Sequence, residues 1–583
     1  MSAMSSSRSS APRGRYVPPE RDGYECVSYI DDILEGRITA CEKLKKLCRM
    51  LKPRFEDGYK CWRYDPERAS RPVRFIERFC CLPEGKAGQH LVLKPFQLFW
   101  MEVAFGFVDE NGFRQFQEVF HLRGRKNGKT SESAALGLYM LTKDGENAPQ
   151  CYSSANSKAQ AALLYGAMLR MVAQSPHLSR RLHKGTVAAR SQDGLIYNAN
   201  GGFFTPLSSQ TRNLDGLNVH FSVQDEVAAC TNRDVYDLVK QATSARDQPL
   251  ILEITTNGFE RDNFFDEQYE YASRILDGKA VDDTFLPVIY ELDDRSEWSD
   301  ESKWIKANPG LGTIKKVEAL RGYVNKAKQD PSFLPTVLTK DFNIPENKAS
   351  AWLRYDEAVN RDTFDWREMG FRYCIIGYDA SDTIDLTSAQ ALMMRPGDDR
   401  IYEMSMYWIP EAQLEKSKRS GLRKNRDNVP YQKWIDDGLV RVVPGNTIDH
   451  RCVFEWMQEL LDEYDIYPFA MGYDPWHLQD DSWKETARQF VGRNRAEQVR
   501  FGAKSLSIPM KQIRADYERH RIVDNDNPVN QWCRMNVGIV TDKNDNIQPV
   551  KANGATGRID GWAAEICAYI ALGRHMEDYA SSI

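Results

Sequence analysis

The segment Arg123-Gly124-Arg125-Lys126-Asn127-Gly128-Lys129-Thr130 stands between two patterned stretches and decides the fold of the first half of the chain. Residues 115–122 mix Phe and Val with polar residues and predict a strand, whereas residues 131–142 carry an apolar stripe that predicts a helix. A strand, a glycine-containing loop and a helix start present backbone N–H groups and a helix dipole to a phosphate. The segment therefore predicts a phosphate-binding loop in an α/β domain.

Two residues of this loop carry the chemistry. Lys129 is expected to reach the β- and γ-phosphates of a nucleotide, and the Thr130 hydroxyl to ligate Mg²⁺. The spacing departs from the usual G-x-x-x-x-G-K-[ST], because Arg123 occupies the first glycine position and Gly124 comes one residue late. A basic surface loop that contains Gly-Lys-Thr by chance is the alternative interpretation.

A pair of adjacent carboxylates follows a second predicted strand. Residues 219–224 form an imperfect strand sequence that runs into Asp225 and Glu226. Asp225 is expected to hold the metal ion together with Thr130 or through water, and Glu226 to polarise the attacking water. An acidic first turn of a helix is the alternative.

A third predicted strand covers residues 249–254 and ends in Thr255-Thr256-Asn257-Gly258. Small hydroxyl and amide side chains at a strand end can sense a γ-phosphate. A plain turn is the alternative.

Three aspartates in the last third of the chain follow a common pattern. The apolar runs 373–378 and 468–473 end in Asp379 and Asp474, and Asp560 opens a predicted helix with one apolar face. Carboxylates that converge from strand ends and a helix start repel one another unless cations lie between them. The pattern predicts a two-metal site for phosphodiester cleavage, filled by Mg²⁺ or Mn²⁺. Taken singly, each aspartate is better explained as a solvated surface residue.

Together these segments resemble the large subunits of the terminases that package DNA into tailed bacteriophage heads. The resemblance runs from about residue 75 to about residue 573. Beyond the segments already quoted, it rests on Phe75-Ile76-Glu77-Arg78-Phe79-Cys80, Leu93-Lys94-Pro95-Phe96-Gln97, Asp215-Gly216-Leu217-Asn218, Ala307-Asn308-Pro309-Gly310-Leu311-Gly312, Asn527-Pro528-Val529 and Ala555-Thr556-Gly557-Arg558-Ile559-Asp560.

The resemblance implies roles in the nucleotide site. Arg125 matches an arginine that the family uses in hydrolysis, and Gln97 matches its adenine-contacting glutamine. The Thr-Thr-Asn-Gly segment matches the motif that couples hydrolysis to DNA movement. The implied ATP-binding positions are Gln97, Gly124, Arg125, Lys126, Asn127, Gly128, Lys129, Thr130, Asp225, Thr255, Thr256 and Asn257.

The resemblance also implies the fold and the second site. The expected fold class is α/β, a P-loop ATPase domain with a parallel-rich sheet followed by an RNase H-like α/β nuclease domain. Asp379, Asp474 and Asp560 match the nuclease metal ligands, and Asp385 is a secondary position. The expected domains are an N-terminal tail and helical region at 1–71, the ATPase motor at 72–360, the endonuclease at 361–573 and a polar C-terminal tail at 574–583.

The implied function is ATP-driven movement of double-stranded viral DNA through the portal into the procapsid, with endonucleolytic cutting of concatemeric DNA at the start and end of packaging. The implied partners are the portal protein, a small terminase subunit and further copies in a ring, commonly of five. In such a ring a neighbour's arginine completes each ATP site, and Arg170 and Arg190 lie in a suitable region. ATP and Mg²⁺ are the implied cofactors, with Mn²⁺ an option at the nuclease site, and the host cytoplasm is the expected location.

Two alternatives come from other classes of protein. A helicase-like or remodelling ATPase without its own nuclease would use the first set of residues and leave the C-terminal carboxylates structural. A non-catalytic nucleic-acid-binding or scaffold protein would carry decayed sites. The second carboxylate set argues against the former, and intact Lys129 and Glu226 argue against the latter.

Composition narrows the classes further. A chain of 583 residues exceeds what one core usually supports, so several domains are expected. The net charge of −5 argues against coating DNA by bulk charge, although basic clusters at 416–419 and 423–426 offer local contacts. Twelve cysteines without a C-x-x-C pair indicate reduced thiols rather than a zinc site. No apolar run predicts a membrane span, and residues 1–15 are typical of a disordered tail.

Overall fold

A computed structural model describes most of the chain, namely residues 16–85, 88–187, 192–207, 216–230, 233–259, 263–330, 333–346, 351–381, 386–414, 430–476, 478, 480–552 and 557–583. Several positions named above lie outside these ranges, namely Arg190, Asp215, Asp385, the two basic clusters and Ala555-Thr556. Within the described ranges, no helix combines the length and the hydropathy needed to cross a bilayer.

The chain folds into two compact units. The first comprises Met1–Gly258, Phe264–Asp330 and Val337–Ile344, and the second comprises Phe259–Asn263, Pro331–Thr336 and Pro345–Ile583. The four domain ranges expected from the sequence stay predictions.

The described residues of the first unit include the strands β1 (Arg63–Tyr64), β2 (Phe107–Val108), β3 (Glu118–Leu122), β4 (Gln150–Ser154), β5 (Leu182–Val187), β6 (Gln192–Tyr197), β7 (Gly202–Pro206), β8 (Val219–Asp225), β9 (Leu250–Thr255) and β10 (Phe285–Ile289). Eight of them form one sheet in the order β10-β3-β9-β8-β4-β7-β6-β5. Pairs from β10 to β7 are parallel, and β6 pairs antiparallel with both β7 and β5. The predicted parallel-rich sheet is confirmed.

Burial on both faces explains these strands. Every residue of β3, β8 and β9 is buried, as expected of parallel strands covered by helices on either side. The helices and helical turns of this part are Glu25–Leu34, Glu42–Leu51, Arg54–Asp57, Pro66–Phe79, Pro95–Gly106, Lys129–Thr142, Lys158–Gln174, Pro176–Ser179, Val227–Ala229, Asp234–Gln241, Phe264–Leu276, Arg295–Ser299, Glu301–Lys306, Val317–Gln329 and Leu334–Phe342. The first two helices share one hydrophobic core with the sheet, so the N-terminal region packs as part of this unit.

In the part of the second unit that the structure describes, the strands are β11 (Tyr373–Asp379), β12 (Thr387–Arg395), β13 (Asp398–Pro410), β14 (Val440–Val443), β15 (Tyr467–Tyr473), β16 (Ala496–Gln498), β17 (Ile522–Val523), β18 (Val537–Thr541) and β19 (Ile547–Lys551). The main sheet follows the order β14-β13-β12-β11-β15-β16, with β17 beside β13. Strands β11, β12 and β13 pair antiparallel, whereas β15 pairs parallel with β11 and β16. The helices are Tyr355–Ala358, Trp366–Met369, Tyr431–Asp436, Cys452–Tyr464, Asp481–Val491, Ala503–Glu518, Pro528–Met535, Asp560–Arg574 and Met576–Ala580.

Two glycines let one helix lie directly on the backbone of this sheet. Gly377 of β11 stands opposite Gly472 of β15. A Cβ on Gly377 would overlap the backbone of Ala564 and lie 2.6 Å from the Ala568 nitrogen, and one on Gly472 would lie 2.8 Å from the Cys567 carbonyl carbon. The helix Asp560–Arg574 therefore approaches both strands closely only because neither position carries a side chain.

Residues 574–583 differ from the expected polar tail. They include the helix Met576–Ala580, and Tyr579 is fully buried. Its hydroxyl donates to the Tyr373 carbonyl at 2.8 Å and accepts from the Met394 amide at 3.2 Å. One aromatic side chain thus fastens the end of the chain to β11 and β12.

Candidate nucleotide and nuclease sites

The predicted phosphate loop connects β3 to a helix that starts at its lysine. The helix Lys129–Thr142 begins two residues earlier than the sequence pattern predicts, because Gly128 caps it with a left-handed backbone at φ +85°. Lys126 is also left-handed, at φ +63°, so the loop turns sharply before the helix. The first turn of the helix, with half-buried Thr130, faces the carboxyl edge of the parallel sheet.

Arg123 explains how the loop does without its first glycine. The side chain is fully buried, its guanidinium is ion-paired with Glu132 and it lies over the Phe96 ring at 5.1 Å. It therefore points into the core rather than into the loop. Burial raises the pKa of Glu132, although the charge of Arg123 opposes that shift.

Gly124 and Asn127 tie the loop to a segment far along the chain. The Gly124 amide donates to the Ala307 carbonyl at 2.9 Å, and the Asn127 side chain accepts from the Gly310 amide at 2.9 Å. Asn127 also donates to Asn308 Oδ1 at 3.1 Å. A Cβ at position 124 would lie 2.6 Å from that same oxygen, so the close approach requires glycine there.

A buried lysine completes this contact. Lys315 donates to Asn308 Oδ1 at 2.7 Å and to Asp341 Oδ1 at 2.6 Å. Burial lowers its pKa, and the carboxylate of Asp341 opposes the shift. Residues 307–315 and 340–341 thus form a cradle behind the phosphate loop, which we call the loop cradle.

Lys129 lies inside the loop, where its ammonium donates to the Arg123 carbonyl at 2.8 Å and reaches the Gly124 carbonyl at 3.5 Å. Burial lowers the pKa of Lys129 to about 7, and the charges of Glu226 and Asp225 act against that shift. The lysine and the two carboxylates therefore share one electrostatic environment, as the sequence predicts.

Asp225 ends β8 and Glu226 follows it, and β8 is separated from β3 by β9 alone. Burial and the adjacent charge of Glu226 raise the pKa of Asp225 to about 6. Glu226 adopts a left-handed backbone at φ +56°, and its amide donates to the Ile254 carbonyl at 2.9 Å. Its carboxylate accepts from the Thr256 hydroxyl at 3.5 Å. The carboxylates thus contact the end of β9 directly.

The Thr255-Thr256-Asn257 segment is held by two sets of contacts. The Thr255 hydroxyl accepts from the Ala228 amide at 3.0 Å, just beyond Glu226. Asn257 donates its side-chain amide to the Asn343 carbonyl at 2.9 Å, and its backbone carbonyl accepts from Lys340 at 2.6 Å. The segment therefore connects the carboxylate pair with the end of the helix Leu334–Phe342, which contributes Lys340 and Asp341 to the loop cradle.

The structure places the remaining nucleotide-site candidates around the loop. Gln97 is buried, donates to Glu132 and accepts from the Lys94 amide at 3.0 Å. Its amide nitrogen would lie 3.5 Å from a Cβ on Gly128, so it borders the loop. Arg125 and Lys126 are exposed on the outer side, where the Arg125 amide donates to the Lys340 carbonyl at 2.9 Å.

The three C-terminal aspartates lie at adjoining ends of β11, β15 and the helix Asp560–Arg574. The Asp474 amide donates to the Tyr378 carbonyl at 3.3 Å, which sets Asp379 and Asp474 side by side at the ends of paired strands. Burial and the charges of Asp560 and Asp474 hold the pKa of Asp379 well above its usual value. The structure therefore brings the predicted trio together.

Two cations stand near the trio. The charge of Lys551, at the end of β19, acts on Asp379, and that of the buried Arg558 acts on Asp560. Among the described residues, no group of three or more His, Cys, Asp and Glu side chains is already drawn together as a metal-ligand cluster. The three aspartates and these two cations therefore influence one another electrostatically.

Two family models match this chain. One, described as the terminase large subunit ATPase domain, matches residues 95–274, and the other, described as the terminase large subunit endonuclease domain, matches residues 279–575. The chain belongs to the terminase large subunit family. Its ATPase domain match lies in the first unit, and its endonuclease domain match begins in the first unit and lies mostly in the second, so the helicase-like alternative is not favoured.

Relatives of this terminase include two phage proteins. The large terminase subunit of Enterobacteria phage HK97 is 26% identical over 510 residues, which is 85% of this chain and 94% of that protein. The large subunit of Lactococcus phage p2 is 21% identical over 418 residues, 71% of this chain and 75% of the other. The crystal structure of the HK97 large terminase has 24% identity and a TM-score of 0.45, and the match covers 86% of this chain and 99% of that one.

A buried polar network supports the nuclease site of this terminase and was missed from the sequence. Gln390 donates to the Tyr407 hydroxyl at 3.1 Å and to the Gly561 carbonyl at 3.3 Å, next to Asp560. A Cβ on Gly561 would lie 2.9 Å from the Tyr407 ring. The Tyr407 hydroxyl in turn donates to Asn530. The network fixes the start of the helix that carries Asp560.

A second buried cluster holds the same helix further along. Arg534 forms ion pairs with Glu403, with Asp524 at 2.7 Å and with Glu565 at 2.9 Å, and all four side chains are almost fully buried. Burial raises the pKa of Asp524 to about 6 even though Arg534 opposes the shift. One guanidinium therefore joins β13, the turn after β17 and the aspartate-bearing helix.

A repeated tripeptide is the sequence feature that could have predicted the close contact of the helix Asp560–Arg574 with β11 and β15. Gly377-Tyr378-Asp379 and Gly472-Tyr473-Asp474 repeat the same order on two strands. Glycine within a buried strand indicates close approach of another backbone. No comparable signal marks Gln390, Arg534 or Lys315, whose roles depend on contacts distant in sequence.

Proposed function

We propose that this terminase uses ATP hydrolysis in its first unit to move double-stranded viral DNA through the portal into the procapsid. Its second unit cuts concatemeric DNA at the start and end of packaging. One observation carries the proposal. The loop lysine and the Asp225-Glu226 pair meet in one unit, and the aspartate trio meets in the other.

At the nucleotide site, Lys129 turns from the loop carbonyls to the β- and γ-phosphates, and the amides of the loop with the helix dipole hold the phosphate charge. Thr130 and Asp225 would hold Mg²⁺, which would supply positive charge for the phosphates. Glu226 would orient and polarise the attacking water, and Arg125 would stabilise the charge that develops on the phosphates. Gln97 borders the adenine side. The exposure of Arg125 and the carbonyl contacts of Lys129 support these roles, because both side chains can move toward a nucleotide.

Coupling to DNA movement runs through the end of β9. Thr256 contacts the Glu226 carboxylate, and Asn257 contacts Asn343 and Lys340, which leads into the loop cradle. A change in the charge around Glu226 on hydrolysis therefore alters the hydrogen bond between Glu226 and Thr256. Because Asn257 follows Thr256 in the chain, the contacts of Asn257 change with it.

At the nuclease site, Asp379, Asp474 and Asp560 suit a pair of Mg²⁺ or Mn²⁺ ions. The three side chains offer hard oxygen donors from three elements, and their mutual repulsion favours a divalent cation among them. Such ions activate water and stabilise the leaving oxygen of a phosphodiester. Lys551 binds a nearby phosphate of the strand, and Gln390 with Tyr407 keeps Asp560 in place.

Family membership supports a proposal for the assembly as well. The large subunit acts in the host cytoplasm as a ring on the portal, commonly of five copies, and a small terminase subunit delivers the viral DNA. Arg170 pairs with Glu84 at 3.1 Å on an exposed surface, where an arginine that serves a neighbouring copy would have to stand. The ranges 72–360 and 361–573 are proposed as the motor and nuclease domains.

The experiment that tests the motor compares ATP hydrolysis and ATP-dependent protection of DNA from DNase by procapsids. Lys129→Ala should lower both by at least about 100-fold, because the lysine contacts phosphates in the transition state. Lys279→Ala, an exposed lysine of the same unit, should change neither. Hydrolysis by Lys129→Ala at the parental rate would overturn the assignment of the loop.

A further inference from the structure

The turn after β15 presents an aromatic side chain to solvent beside the nuclease site. Trp476 is 77% exposed. The other twelve tryptophans all lie in described ranges, and each of them is buried or half-buried. Tryptophan usually buries most of its surface, so an exposed indole two residues from Asp474 points to a ligand.

The turn that carries this indole is held at both ends. The Trp476 amide donates to Asp474 Oδ1 at 3.1 Å, and the Leu478 amide donates to the Pro475 carbonyl at 3.2 Å. Leu478 is buried in the core beneath β15, whereas Trp476 points outward. The position of the indole is therefore set relative to a carboxylate of the aspartate trio.

We propose that Trp476 packs against a nucleotide of the scissile DNA strand and so positions that strand over Asp379, Asp474 and Asp560. This inference rests on the proposed nuclease function.

The chemistry around Trp476 favours nucleic acid as the occupant. Aromatic side chains stack on bases irrespective of sequence. The charge of Lys551 acts on Asp379, so a cation that suits a DNA phosphate acts on the same trio of aspartates. A protein partner seated on Trp476 would cover the turn that carries Asp474. A DNA strand that packs on the indole instead has phosphates near the aspartates.

The test measures binding of a short fluorescein-labelled duplex by anisotropy with Ca²⁺, together with plasmid cleavage kinetics in Mn²⁺. Trp476→Ala should bind at least about five-fold more weakly and raise KM by a similar factor, with kcat less affected. Trp476→Phe keeps a ring and should stay within about two-fold of the parent. Tyr467→Ala is the matched control, because Tyr467 is an exposed aromatic at the opposite end of the same strand.

Three results would overturn the inference, and they are distinguishable. Parental binding and cleavage by Trp476→Ala, in a protein that cuts DNA, removes the role of Trp476 alone. Parental DNA binding with lost ATP-driven packaging assigns the indole to a protein partner instead. A parent protein that cuts no DNA overturns the nuclease function and the inference with it. Thermal unfolding of Trp476→Ala at the parental temperature shows that the second unit of the variant, which carries the substitution, is folded.

Discussion

The glycine pair under the aspartate-bearing helix offers the sharpest perturbation of the nuclease site. In Gly377→Ala, the new Cβ would lie 2.6 Å from the Ala568 nitrogen, where ordinary contact begins at 3.4 Å, and closer still to the Ala564 carbonyl. The obstacle is helix backbone, which cannot rotate away as a side chain can. The helix Asp560–Arg574 must therefore retreat by about 1 Å.

Two magnitudes follow from that displacement. Overpacking of this kind lowers the free energy of unfolding by about 1–3 kcal/mol, which the second unit should survive. A misplacement of about 1 Å in a catalytic group costs about 100-fold in rate, and Asp560 moves with the helix. We therefore expect Gly377→Ala to lose about 100-fold in plasmid cleavage while ATP hydrolysis stays at the parental rate.

The matched control lies in the same helix. A Cβ on Gly573 meets nothing within 4 Å, so Gly573→Ala should cleave normally and gain up to about 1 kcal/mol in helix stability. Cleavage assays and thermal unfolding of both variants decide the matter. Cleavage by Gly377→Ala within about three-fold of the parent would refute the argument that this contact positions Asp560.

Three further substitutions test the contacts behind each site. Asn308→Ala should lower the free energy of unfolding by about 1–3 kcal/mol and raise the KM for ATP, because buried Lys315 loses a partner. Thermal melting and ATPase assays measure both quantities, and Asn325→Ala, at an exposed position, should change neither. Tyr407→Phe should lower kcat for cleavage about ten-fold without changing ATP hydrolysis. Tyr402 lies on the same strand and donates its hydroxyl to Asp398, and Tyr402→Phe should leave kcat for cleavage unchanged. Arg534→Met should cost about 3–5 kcal/mol, because three carboxylates stay buried without their cation, and the exposed Arg519→Met should melt like the parent. A substituted protein that matches the parent in its own assay would contradict the corresponding contact.

The sequence predicts the strands that position both sites because parallel strands bury both faces and leave apolar runs. Residues 219–224 and 249–254 fall on β8 and β9, and the carboxylates and threonines at their ends meet as expected. The first strand is shorter than predicted. Its pattern begins at residue 115, but the Gln115 amide donates to the Phe107 carbonyl and the Gln117 amide to the Thr284 carbonyl, outside the sheet ladder. Buried residues therefore begin before the strand itself, and their sequence pattern resembles that of a strand.

The parts that sequence could not supply are contacts between distant residues. Arg123 is readable as a departure from the loop consensus, yet nothing local shows that its side chain turns inward to Glu132. The hydrogen bond between Asn127 and Gly310 spans 183 positions. Residues 574–583 look polar because one buried residue, Tyr579, carries their packing. Local patterns report burial and turns, whereas these side chains are fixed by which elements meet.

The most direct test of a terminase with its own nuclease is cleavage of supercoiled plasmid by the purified protein with Mg²⁺ or Mn²⁺. Asp379→Ala is measured beside it, with Asp481→Ala, an exposed aspartate of the same unit, as the control. Metal-dependent cutting that is lost in Asp379→Ala and kept in Asp481→Ala is the predicted result. A folded protein that hydrolyses ATP and leaves the plasmid intact in both metals would contradict the assignment of the three aspartates.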